Sequence, residues 1–243
     1  MSVLIPFVLA TRNRNKGGEM LKLLAPPWEP SPALARLDAR TLVDFPDLAE
    51  TVEDADTLAG NARKKASEAA LALGRWVLAD DSGLAVDALQ GAPGVHSARF
   101  AGTHSDDEAN NRKLLHALAN VPDDRRGAAF LCALAVADPT GAIRLEAGGA
   151  CRGRILREPK GDGGFGYDPL FLIPEYQRTF GELSALVKHQ LSHRARAFAH
   201  IRPGLSRLIG EISPGGVGST PSRSRSASMD PASVLQKNER HPE

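Results

Sequence analysis

A chain of 243 residues, 42% of them hydrophobic, is long enough to bury a sizeable core in one large domain or two small ones. Its 30 lysines and arginines stand against 29 aspartates and glutamates, so the net charge of +1 gives no overall attraction to nucleic acid, and two cysteines exclude a disulfide framework. The apolar run Val3 to Ala10 has no basic segment before it, is broken by Pro6 and is too short to cross a bilayer, so the expectation is a cytoplasmic protein with neither a membrane nor a nucleic-acid partner.

Phe7 to Ala10 reads as a first strand. A polar turn, Thr11 to Asn15, follows, and a helix begins at about Lys16 and runs to Leu24 with Met20, Leu21, Leu23 and Leu24 on its apolar face. Four prolines between Ala25 and Pro32 make that segment irregular. Leu58, Ala62, Ala66, Ala69, Ala70 and Leu73 recur at helical spacing, with Thr57 as N-cap and Gly74 as stop. Trp76 to Ala79 is a buried strand, and Asp80 and Asp81 are expected at its carboxyl end, before a turn at Ser82-Gly83. Adjacent residues of an extended chain point to opposite sides, so only one of the two acids can face a given pocket.

Ser105 to Glu108 reads as a capping box opening a third helix that ends before Pro122. Ala128 to Ala137, turned by Asp138-Pro139-Thr140-Gly141 into Ala142 to Ala147, reads as a hairpin. Strands alternating with helices early and a hairpin later predict an α/β fold with a mixed sheet and helices on its faces. Beyond Ile212 the chain is rich in Gly, Ser, Pro and Arg, so one domain over 1–212 and a disordered tail over 213–243 are expected.

Several clusters carry chemistry. The turn Thr11-Arg12-Asn13-Arg14-Asn15-Lys16, between a strand and a helix, can gather backbone amides, a hydroxyl and cations around an anion at a helix N-terminus, although the glycine spacing of a Walker A loop is absent. A solvated basic turn fits the same residues. Glu53 precedes the second helix; with Asp81 it would suit Mg²⁺, which takes one or two carboxylates besides phosphates and waters. Gly164-Phe165-Gly166-Tyr167-Asp168-Pro169 suits a loop where backbone approaches a flat ligand and an aromatic ring stacks on it. Lys188, His193 and Arg194 put three donors near the start of the last helix, with Ser192 as its cap.

With these blocks in this order, the chain resembles the inosine/xanthosine triphosphate pyrophosphatases from about Val8 to Leu208. The matching blocks are the Thr11 to Lys16 turn, Thr57 to Ala62 with Lys65-Ala66, Ala79 to Leu84 with Gly91 to Arg99, and Gly164 to Pro169 followed by Ser192-His193-Arg194. The resemblance implies an elongated α/β fold with a long central mixed sheet, a homodimer, a Mg²⁺ cofactor, and hydrolysis of the purine triphosphates ITP, dITP and XTP to monophosphate and pyrophosphate. It implies that Asp81 is the catalytic carboxylate and, with Glu53, a metal ligand. Ser82 would contact the nucleotide, and Thr11, Arg12, Asn13, Arg14, Asn15 and Lys16 would hold the triphosphate. Phe165 would stack on the base, with Gly166, Tyr167, Asp168, Lys188, His193 and Arg194 completing the pocket. Arg12 and Asn15 stand where glycine is common in the family, Ala55 replaces a glycine, and Gly60 replaces an acid.

Two other readings stay open on the residues alone. A nucleotide-binding regulator could use the same cradle without turnover. A phosphoaspartyl phosphatase would use a strand-end Asp but wants a second Asp two positions on, where Gly83 follows Asp81 and Ser82.

Overall fold

The computed structural model describes residues 4–102 and 106–212. Seven strands form one sheet in the order β2-β1-β3-β4-β5-β6-β7. The strands are β1 (Ile5–Leu9), β2 (Leu37–Thr41), β3 (Trp76–Val86), β4 (Gly127–Ala137), β5 (Ile143–Ile155), β6 (Phe171–Ile173) and β7 (Arg178–Thr179). β1 runs parallel to β2 and β3, and all other pairings are antiparallel, so the expected mixed sheet is present. Among the described residues five α-helices accompany it: α1 (Arg14–Leu24), α2 (Leu58–Leu73), α3 (Asp107–Ala117), α4 (Ala185–Leu191) and α5 (His193–Glu211).

Period-two alternation divides the core. Phe7, Leu9 and Leu78 pack with Met20 of α1 and Phe198, Ile201 and Leu205 of α5 on one face. Val8, Val77 and Ala79 pack with Ala62, Ala66, Ala69 and Ala70 of α2 on the other. α2 meets Ala133, Ala135 and Ala137 of β4 with alanines of its own, and small side chains on both partners let the helix lie close to the sheet. Thr57 caps α2 by accepting from the Gly60 amide, and Gly74 ends it at φ 59°, as its sequence predicts. A third cluster gathers Leu114, Leu118, Phe130, Phe171 and Phe180.

Four boundaries differ from expectation. α1 starts at Arg14, because Asn13 rather than a longer turn caps it. β3 does not stop at Asp80: it continues through Ser82-Gly83 to Val86, and there is no turn at that point. Gly83 is needed there for space, since a Cβ would lie 2.3 Å from the Gly94 carbonyl oxygen of a packed turn. The cap of α3 is Asp106, which accepts from the Ala109 amide at 2.9 Å; Ser105 lies outside the described residues. The hairpin forms as expected, but β5 extends to Ile155 through Gly148 and Gly149. A Cβ on Gly149 would lie 2.2 Å from the His193 carbonyl oxygen, so this glycine marks where α5 crosses the strand. The tail expected over 213–243 lies outside the described residues. Among the described residues no helix is long and apolar enough to cross a membrane.

Candidate active site

A cleft of about 700 Å³ opens beside β1, β3 and α2, lined by Thr11, Asn13, Lys16, Glu53, Lys65, Asp80, Asp81, Ser82 and Arg99 among others. The Thr11 hydroxyl accepts the Asn13 amide at 3.2 Å, and the Asn13 side chain accepts the Lys16 amide at 3.0 Å. These bonds fix the start of α1 with its positive dipole end at the cleft. Arg12 lines the cleft but spends its guanidinium on the carbonyls of Leu42 (3.1 Å), Phe45 (3.3 Å) and Leu48. It therefore braces the cleft wall instead of extending toward an anion. Arg14 and Asn15 are exposed on the first turn of α1.

Asp80 and Asp81 sit inside β3 and face opposite sides of the sheet, as the alternation requires. Asp80 is buried among cations: Arg194 Nε lies 3.2 Å from Oδ2 and Lys16 Nζ 3.1 Å from Oδ1. The Cys132 thiol donates to Oδ2 at 3.1 Å, and the Ser82 hydroxyl donates to the same oxygen at 2.7 Å. Burial opposes the Asp80 charge, but Arg194 and Lys16 outweigh it and hold this carboxyl well below the usual range. Asp81 faces α2. Lys65 Nζ lies 2.8 Å from Oδ1, and the Asn61 amide donates to Oδ2 at 3.2 Å. Here burial wins against Lys65, and the nearby Glu53 charge adds to it, so the Asp81 carboxyl is pushed up.

Lys65 also reaches Glu53 Oε1 at 2.9 Å, and Arg99 donates to the Glu53 carbonyl at 3.1 Å. Burial works against the Glu53 charge, yet Lys65, Lys16 and Arg99 hold its carboxyl below the usual range. The structure thus brings Glu53 and Asp81 to one ammonium. A set of two carboxylates suits a Mg²⁺ ion that completes its shell with phosphate and water; among the described residues no group of three or more His, Cys, Asp or Glu is arranged for a metal.

The Gly-rich loop and the start of α5 form the far end of this constellation. Asp168 Oδ2 accepts from the Phe165 amide (2.9 Å) and from Lys188 Nζ (2.6 Å), which sets the loop and the lysine together. Lys188 Nζ lies 4.6 Å from the Phe165 ring centroid, with the Arg194 guanidinium at 5.9 Å. Gly166 takes φ 64°, and its amide donates to Asp107 at 2.7 Å. Tyr167 is buried, with its hydroxyl donating to the Ser97 carbonyl at 2.8 Å, so it supports the loop from the core and does not line the cleft. Ser192 caps α5 by accepting the Ala195 amide at 3.1 Å. The His193 ring stacks on Phe130 at 4.8 Å between centroids, and burial, joined by Arg194, pushes its pKa well down, so the imidazole is neutral. Its Nδ1 is buried without a hydrogen-bond partner among the described residues.

Sequence reasoning missed the groups that join these ends. Glu19, one turn after Lys16 on α1, accepts from Arg194 Nη1 at 2.5 Å and from Lys188 Nζ at 2.9 Å. Arg194 and Lys188 override the burial of Glu19 and keep it ionised. The resemblance gives no role to Asp80, Lys65 or Asn61, although Lys65 and Asn61 lie in one of its matching blocks. The i, i+4 spacing of Asn61 and Lys65 was the available signal, because it puts both on one face of α2.

The profile of the Ham1 family matches residues 7–203. A dITP/XTP pyrophosphatase of Rhodopirellula baltica is 54% identical over 209 residues, covering 86% of this chain and 97% of that protein. One of Desulforamulus reducens is 51% identical, covering 83% and 96%. Among solved structures, a HAM1 protein from Coxiella burnetii superposes with a TM-score of 0.71 at 37% identity, covering 86% of this chain and 100% of that one. A nucleoside-triphosphatase / dITP/XTP pyrophosphatase from Mycobacterium abscessus gives 0.64 at 40% identity, with 82% and 100% covered. The blocks around Asn13, Asp81, Phe165 and Arg194 all fall within the matched span, and the chain belongs to the Ham1 family.

Proposed function

We propose that this protein hydrolyses ITP, dITP and XTP to the nucleoside monophosphate and pyrophosphate, removing them from the nucleotide pool. The observation that carries the reading is one cleft holding both the capped N-terminus of α1 and an acid pair bridged by an ammonium. The names of the relatives supply the substrate class.

Water attacks the α-phosphorus in line, the bond to the bridging oxygen breaks, and pyrophosphate leaves as one piece. Asp81, whose raised pKa suits a proton acceptor, orients the water and takes its proton. Lys16, Thr11, Asn13 and the free amides of α1 hold the phosphates, while Ser82 contacts the nucleotide. Glu53 and Asp81 would hold Mg²⁺, which would supply neutralisation of the phosphate charge. Phe165 stacks on the base. The pocket's donors select a 6-carbonyl oxygen over the amino group of adenine, a mismatch worth about 1 to 3 kcal/mol per unpaired group. We place the protein in the cytoplasm, in keeping with its two free, buried thiols, and propose a homodimer.

Product analysis on a panel of ITP, dITP, XTP, ATP and GTP tests this reading. Pyrophosphate should appear with the first three, and chelating the divalent cation should abolish it. Orthophosphate as the first product, or equal rates on ATP, would overturn it.

A further inference from the structure

Lys65 occupies the space between the two carboxylates assigned above to the divalent cation. Its Nζ lies 2.9 Å from Glu53 Oε1 and 2.8 Å from Asp81 Oδ1, and its side chain is only 12% exposed, so solvent screens these contacts little. The other oxygen of Asp81 accepts from Asn61 at 3.2 Å, and the other oxygen of Glu53 lies 3.8 Å from Arg99. Lys16 is turned to Asp80. Glu53, Asp80 and Asp81 therefore each have a cationic counterpart, and Lys65 supplies it for Glu53 and Asp81 at once.

A divalent cation needs the lone pairs that the ammonium now holds. It cannot take them while Lys65 remains, because a double and a single positive charge would then share the same few ångströms. The lysine stem is flexible, with three donors on a freely turning head, and the cleft beside it is open. An anionic triphosphate in that cleft gives the displaced head somewhere to go.

We propose that Lys65 is a built-in competitor of the divalent cation: its ammonium closes the Glu53–Asp81 pair in the empty cleft and swings out when cation and triphosphate arrive together. The bare ion then binds weakly, and loading is coupled to the nucleotide. This rests on the reading of Glu53 and Asp81 as the cation's ligands.

Mn²⁺ binding to the full chain without nucleotide, followed by electron paramagnetic resonance, tests the proposal. Lys65→Met should tighten Mn²⁺ binding by about tenfold or more, and Lys65→Arg, which keeps the charge, should leave it unchanged. Lys16→Met removes the same charge from the cleft without vacating the space between the carboxylates, and should tighten binding by less than about threefold. Unchanged or weaker binding in Lys65→Met, or equal gains in Lys65→Met and Lys16→Met, would overturn the competitor role. If Lys65→Met fails to fold by circular dichroism, Lys65→Gln vacates the charge while keeping a polar head, and the same outcomes apply. Adding Glu53→Gln to Lys65→Met should abolish the gain. If it does not, Glu53 is not a ligand and the cation assignment itself fails, separately from the pyrophosphate assay.

Discussion

Asp80 and Asp81 share a peptide bond and occupy opposite electrostatic environments: Asp80 is paired with the buried Arg194 guanidinium at 3.2 Å, and Asp81 with the Lys65 ammonium at 2.8 Å on the far side of the sheet. The first carboxyl is held well down and the second is pushed up.

The same isosteric change should therefore do different things one residue apart. Asp80→Asn strips one of two counter-charges from Arg194, which is 1% exposed and keeps Glu19, and should cost about 1 to 3 kcal/mol in urea denaturation. Asp81→Asn should keep or raise stability at neutral pH while lowering turnover by about 100-fold or more. The signs follow from the shifts. A depressed Asp80 contributes stability above its unfolded pKa that is lost as acid titrates its folded value. A raised Asp81 contributes stability that is fully present below its unfolded pKa and is lost as the pH rises through its folded pKa. Equal destabilisation in both variants would refute the division of roles.

The raised Asp81 pKa also positions the acid limb of kcat/KM. Asp81 must be ionised to accept a proton, so activity should fall on acidification at a pH above the ordinary aspartate value of about 3.9. A limb at or below that value, measured on ITP with Mg²⁺ well below saturation so that the cation does not itself depress the carboxyl, would count against Asp81 as the base.

Two replacements noted in the sequence are one steric arrangement. A Cβ on Gly60 would lie 2.7 Å from the Ala55 Cβ, and Ala55 belongs to the segment that carries Glu53. Gly60→Ala should gain about 1 kcal/mol of helix propensity yet displace that segment, raising the Mg²⁺ concentration for half-maximal rate about fivefold. Ala55→Gly in the same chain should restore it. Additive effects in the double variant would show that the two sites are independent.

Phe165→Ala should weaken all purine triphosphates together by roughly 1 to 3 kcal/mol, because stacking is indifferent to the base edge. Lys188→Met, which removes the ammonium 4.6 Å from that ring, should instead lower the ratio of kcat/KM for ITP over ATP by about tenfold. A ratio that stays constant would assign Lys188 to holding Asp168 and Glu19 alone.

Arg36 donates to the carbonyls of Ile209 (3.2 Å) and Ile212 (2.9 Å), tying the end of α5 to the segment before β2. A chain truncated after Ile212 should keep its melting temperature and ITP turnover, whereas one truncated before Ile209 should lose several degrees. A large loss from the first truncation would move the domain boundary beyond Ile212.

The strand–helix order, both caps of α2 and the hairpin were legible because each rests on local chemistry: Thr57, Gly74 and the Asp138 turn act on their immediate neighbours. The end of β3 was not legible. Asp-Asp-Ser-Gly has turn composition, and it stays extended because β4 pairs with it throughout and the Gly94 turn packs on Gly83, both contacts from distant sequence. Glu53, Asp81 and Lys16 could be picked out by residue type and spacing. Glu19 could not, since its value comes from Arg194 and Lys188, more than 160 residues away in the chain. The partners of Tyr167 and Arg12 were not legible for the same reason: their polar ends are bound by carbonyls that no local pattern announces.

β3 pairs with β4 residue against residue from Val77 with Ala137 to Val86 with Ala128, and only Gly74 and Arg75 separate it from the helix that carries Asn61 and Lys65. A slip of β3 by one residue against β4 would turn Asp80 toward Lys65 and Asp81 toward Arg194, exchanging every partner without changing one side chain. The pairing of β3 with β4 is thus what keeps each carboxylate with its own partners. In lineages that keep the activity, the paired stretch of β3 should therefore be inherited without insertions or deletions even where its letters drift.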